Sequence, residues 1–123
     1  METSEVEEKI YSALKNNNTI MGLLPNGESS IFHLQAPESF PAYPVLVYTP
    51  IGDDPALHGD NKEFLHRVTI RIQIITIDGN YTPLYLGIKK LMAALDFTRL
   101  HSVPIVQNGK KLLTIDFKKI VGA

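Results

Sequence analysis

Residues 68–76 read Val-Thr-Ile-Arg-Ile-Gln-Ile-Ile-Thr, and this alternation constrains the fold more than any other stretch of the chain. Side chains of a strand project alternately to its two faces, so Val68, Ile70, Ile72 and Ile74 make one apolar face. Arg67, Thr69, Arg71, Gln73 and Ile75 make the other. The apolar face needs a cover, which predicts a long central strand with helices lying against one side of its sheet.

Two segments supply those helices. Ser4 and Glu7 have capping-box spacing, and Val6, Ile10, Ala13 and Leu14 recur at helical intervals, predicting a helix over residues 4–15 that stops at Asn16-Asn17-Asn18. After the turn formers Asp78-Gly79-Asn80, Thr82 is expected to cap a second helix with Pro83 at its start and Leu84, Ile88, Leu91, Met92 and Leu95 as its buried stripe. Between the two helices lie a short helical turn through Ile20, Leu23 and Leu24, then strands over 31–35 and 45–49. Residues 50–62 contain Gly52, Asp53, Asp54, Pro55, Gly59 and Asp60, a density of turn formers that predicts a long loop. Asn108-Gly109, set between apolar runs at 103–106 and 112–117, predicts a closing β-hairpin. The expected architecture is α+β: an antiparallel sheet with two helices packed on one face, a long loop and a C-terminal β-hairpin, as one domain over residues 1–123.

Composition narrows the function. The chain has 123 residues, 44% hydrophobic and 20% charged, enough for one core. No apolar run is long enough to span a bilayer, and the acidic start Met1-Glu2-Thr3-Ser4-Glu5 is unlike a secretory signal, so a soluble intracellular protein is expected. The absence of cysteine excludes disulfides, thiolate nucleophiles and Cys-ligated metals. A formal charge of −1 argues against gripping a phosphate backbone.

Catalytic motifs are lacking. The serines have no Gly-x-Ser-x-Gly frame and the glycines are dispersed rather than grouped as a phosphate loop, so neither catalytic residues nor a cofactor are expected. His33, His58, His66 and His101 fall on different elements and are read as surface or strand-edge residues. Asp53, Asp54 and Asp60 with His58 have the oxygen ligands a divalent cation needs but not the calcium-loop ladder, and a solvated or partner-docking loop is the preferred reading. The face bearing Arg67, Arg71, Gln73 and Ile75 is either solvated or packed against a neighbouring copy.

Ile31-Phe32, the proline-rich lead into Tyr43-Pro44-Val45-Leu46-Val47-Tyr48, the acidic loop to Asp60, the strand over 68–76 and the helix over 83–95 together resemble small tailed-phage tail-completion proteins, the tail terminators or head–tail joining proteins of phages and prophages. The resemblance lies in the order of segments over most of the chain. It implies a non-enzymatic virion assembly subunit that forms a homo-oligomeric, typically hexameric ring, assembled in the host cytoplasm and retained at the tail–head interface. Tail-tube and head-connector proteins would be its partners, with DNA only a passing neighbour. In that setting the 50–62 loop and the hairpin at Asn108 are natural contact elements, and Pro104 suits an edge strand. The alternatives are a stand-alone protein-binding module and a metal-assisted hydrolase built on Asp53, Asp54, His58 and Asp60. Replacing those four by alanine abolishes an activity only in the hydrolase case and merely disturbs loop packing otherwise.

Overall fold

The computed structural model of the protein describes residues 3–36, 42–59 and 62–122. The elements run α1 (Thr3–Lys15), α2 (Asn18–Leu23), a 3-10 turn (Gly27–Ser30), β1 (Ile31–His33), β2 (Val45–Gly59), β3 (Lys62–Thr76), α3 (Thr82–Ala94), β4 (Thr98–Gln107) and β5 (Lys110–Gly122). The strands form one sheet in the order β1-β2-β3-β5-β4. Neighbours are antiparallel except β1 and β2, which run parallel with Ile31 beside Leu46 and His33 beside Tyr48. The α+β class is as expected, but the helices number three among the described residues rather than two, because the turn foreseen at Ile20 is a helix.

β3 is central, paired to β2 on one side and to β5 on the other. Its Val68, Ile70, Ile72 and Ile74 are fully buried. Register places Leu46 and Leu113 beside Ile74, and Tyr48 and Ile115 beside Ile72, so these residues share one face of the sheet. That face joins a single apolar cluster with Val6, Ile10 and Leu14 of α1, Ile20 of α2 and Leu84, Ile88 and Met92 of α3. All three helices therefore lie on the same side.

The helix ends show how local sequence is used. Asn17 stops α1 as expected and also caps α2, its Oδ1 accepting the Ile20 N–H at 3.0 Å. Thr82 does not cap α3: it is the first helical residue, Tyr81 occupies the cap without a side-chain hydrogen bond, and Pro83 lies in the first turn. Order before α3 comes from Thr76, whose hydroxyl donates to Lys111 O at 2.6 Å and accepts from Gly79 N at 3.0 Å. A Cβ on Gly87 would sit 3.3 Å from Ile20 Cγ1, so this glycine permits the close approach of α2 and α3. No helix among the described residues is long and apolar enough to cross a membrane.

Of the loop expected over residues 50–62, residues 50–59 are instead the distal part of β2 and Lys62 begins β3, while Asp60 and Asn61 lie outside the described residues. β2 and β3 stay in register from Val45–Ile75 to Gly59–Lys62, with irregularities at Pro50/Gly52, Pro55/Leu57 and Leu57/His58. β1 reaches only as far as Tyr48, so beyond it the outer side of β2 has no described strand neighbour. A proline there loses no ladder bond, and the turn formers mark bulges rather than the end of the strand. The closing hairpin is as expected, with Asn108 and Gly109 at φ 53° and 75°.

Backbone conformation gives opposite signs at two open glycines. A Cβ added at Gly109 would meet nothing within 4 Å, but the left-handed φ strains any side chain, so Gly109→Ala should lower stability by about 1 kcal/mol in urea titration. Gly22, equally open but within α2, should gain several tenths of a kcal/mol as Gly22→Ala, on the order of the helix-propensity difference.

Candidate assembly surface

The face of the sheet turned away from the helices is built in rungs. Val45, Ile75, Leu112 and Ile105 form one, Val47, Gln73, Thr114 and Val103 the next, and Thr49, Arg71, Asp116 and His101 the third. This face is not simply bare: Val45, Val47, Leu112, Thr114 and Asp116 are buried although they lie off the helix side. Residues 34–36 line a groove of about 260 Å³ with Val47, Gln73, Ile75 and Leu112, and this chain segment contributes to the cover. Exposure rises towards β4, where Val103 and Ile105 are open to solvent.

The third rung is held by charge. Asp116 is buried and accepts from Arg71 Nε at 2.9 Å and Arg71 Nη2 at 3.2 Å, the fork geometry that suits guanidinium and carboxylate. His101 Nε2 lies 2.8 Å from the second carboxylate oxygen. Burial pushes the Asp116 carboxyl up, but the Arg71 hydrogen bonds, the Arg71 charge and His101 outweigh it and hold the group below the usual carboxylate range. In the second rung Gln73 Nε2 donates to Thr114 Oγ1 at 3.3 Å.

The contact residues singled out from sequence divide into three groups. Arg67, Arg71, Gln73 and Ile75 do share the open face of β3, each half-buried. Asn108, in the exposed hairpin turn, lines the same groove as Gln73 and Ile75. The acidic residues are not brought together: Asp54 sits beside Arg67 in register, whereas Asp53 pairs with His66 Nδ1. His58 falls on the distal part of β2, opposite Glu63, and Asp60 lies outside the described residues.

His33 and His101 are exposed on the edge strands β1 and β4, as expected, whereas His66 is buried on the central strand, and each of the three has a carboxylate partner. His66 is buried and bonded to Asp53, His101 is bonded to Asp116, and His33 Nε2 reaches Glu7 of α1 at 3.1 Å while stacking on Tyr48. Each carboxylate comes from another element or a distant point of the fold, so no local pattern along the chain announces it. Asp116, an acid within the apolar run Leu112 to Phe117, is the one readable sign of a buried polar site. Among the described residues no three His, Asp or Glu side chains converge as a metal site would require. One donor among them lacks a partner: Arg67 Nε is buried without a hydrogen bond.

No protein-family model matches the chain, and no curated protein matches it.

Because the folded-state pKa of Asp116 is depressed, its contribution to stability is present above the unfolded carboxylate pKa of about 3.9 and is lost as pH falls through the lower folded value. Asp116→Asn should therefore flatten the decline of melting temperature below about pH 4. Arg71→Gln, which leaves the buried carboxylate without its fork, should cost about 1–3 kcal/mol at pH 7 in urea titration.

Proposed function

We propose that this chain is a non-enzymatic assembly subunit that forms a homo-oligomeric ring of the tail-terminator or head–tail joining kind. The observation that carries the reading is the edge of the sheet at β4. Leu100, Val103, Ile105 and Val106 are all exposed there, Val106 at 77%. Four large aliphatic side chains on one edge strand favour coverage by another molecule.

The character of that edge favours side-chain packing over strand addition. Pro104 has no N–H to give, and the register shift between Arg99 and His101 interrupts the ladder. An extended ladder between copies would meet both obstacles, whereas the aliphatic side chains remain free to enter a neighbour's groove. The apolar surface continues from Val103 and Ile105 onto Ile75 of the open face, and the unpartnered Arg67 Nε lies further along it. Contacts between unlike surfaces of successive copies close into rings when the rotation permits. In the proposed assembly the β2–β3 hairpin and the Asn108 turn, at opposite ends of the sheet, meet the tail-tube and head-connector proteins. The formal charge of −1 suits a ring through which DNA passes without being held. The site of action would be the host cytoplasm during assembly and then the tail–head interface.

A second reading, a monomeric protein-binding module, is favoured by the groove of about 610 Å³ between the helices, floored by Leu86, Gly87, Leu91 and Ala94. Light scattering coupled to gel filtration separates the two. The ring reading expects a discrete, hexamer-sized species that the Val103→Glu/Ile105→Glu double variant converts to monomer with unchanged circular dichroism. A monomer at every concentration, or an oligomer indifferent to the double substitution, would overturn self-assembly through this edge.

A further inference from the structure

On the helix side of the sheet, away from the Asp116 rung, α3 and β4 bring together two cations and two hydroxyls. Ser102 Oγ accepts from Arg99 Nη1 at 3.2 Å and donates to the Tyr85 phenol oxygen at 3.2 Å. Lys89, one helical turn beyond Tyr85, has its Nζ 4.8 Å from the centre of the Tyr85 ring.

Among the described residues the two cations have no ion-pair partner. The ion pairs of the described residues use Glu7, Asp53 and Asp116, and none of them involves Lys89 or Arg99. In a chain of net charge −1, two cations converge here without a carboxylate partner among the described residues. The phenol registers the resulting field: the Ser102 hydrogen bond lowers its pKa, burial opposes that, and Arg99 and Lys89 lower it further, which leaves Tyr85 below the usual phenol range. A more acidic phenol is a stronger hydrogen-bond donor to an anion.

We propose that Tyr85, Lys89, Arg99 and Ser102 form a binding site for a phosphate-type oxyanion. The Tyr85 O–H, the unused guanidinium N–H groups of Arg99 and the Lys89 ammonium donate to it, while Ser102 fixes Tyr85 and Arg99 relative to each other as a positioning residue. Three donor groups and two positive charges match the oxygens and the charge of about −1.5 to −2 of a phosphate group better than a carboxylate, with two oxygens and one charge. Nothing in this assignment depends on whether the chain forms a ring.

The test is an NMR titration of the full chain with inorganic phosphate at low ionic strength, with sodium chloride as the ionic-strength control and acetate as the carboxylate probe. Saturable shifts at Tyr85, Lys89, Arg99 and Ser102 are expected, together with a rise in the Tyr85 titration midpoint, because a bound anion disfavours phenolate. Arg99→Gln should weaken phosphate binding by about tenfold, the loss of one charge-assisted contact, with an unchanged melting temperature. Shifts that do not saturate, or that are the same in Arg99→Gln and Lys89→Gln, would overturn the site. Acetate binding as tightly as phosphate would overturn the phosphate assignment and leave a carboxylate site in its place.

Discussion

The dry face of β3 sets the position of every other element. Val68, Ile70, Ile72 and Ile74 are each worth roughly 1.5–3 kcal/mol when removed from water, and that gain is realised only if three helices and the flanking strands close over the same side. The backbone of β3 is satisfied from both neighbours, so it can be buried without orphaned amides. β2 and β5 must then present Leu46, Tyr48, Leu113, Ile115 and Phe117 to that side. A slip of one residue would turn all of them towards the opposite face, which makes the register all-or-none.

The same alternation determines the second face. Once Ile70 and Ile72 point to the helices, Arg71 points away from them, and β5 must answer it with Asp116. The fork between half-buried Arg71 and buried Asp116 ties β3 to β5 on the side where apolar packing is thinner, and His101 extends the tie to β4. Such a pair adds specificity of register more than net stability, because burying the carboxylate offsets much of its attraction to the guanidinium. The cations at Tyr85 have no such partner among the described residues, although Arg99 belongs to the same strand as His101. One edge strand thus carries two opposite electrostatic situations, one satisfied within the chain and one open.

The edges of the sheet differ as well. β1 is three residues long, while β4 runs for ten residues with its aliphatic side chains exposed. Proline and a register shift make β4 a poor template for another strand while leaving its side chains accessible. That combination fits contact with a chosen neighbour rather than open-ended aggregation.

By itself the sequence determined whatever depends on near neighbours along the chain. The alternation around Ile72, the helical spacing of Val6, Ile10 and Leu14, and the left-handed Asn108-Gly109 turn each carry their geometry within a few residues. The fate of residues 50–59 was decided only by the fold, since Gly52, Pro55 and Gly59 serve a loop and a bulged strand alike until it is known that β1 stops at the level of Tyr48. The partners of His33, His66 and His101 were likewise set by tertiary structure, as were the gathering of Arg71, Gln73 and Ile75 with β5 residues and the meeting of Tyr85 with Ser102. The reason is physical: backbone propensity acts over a turn or two of chain, whereas charge pairing and burial depend on which distant strands the apolar face of β3 brings alongside.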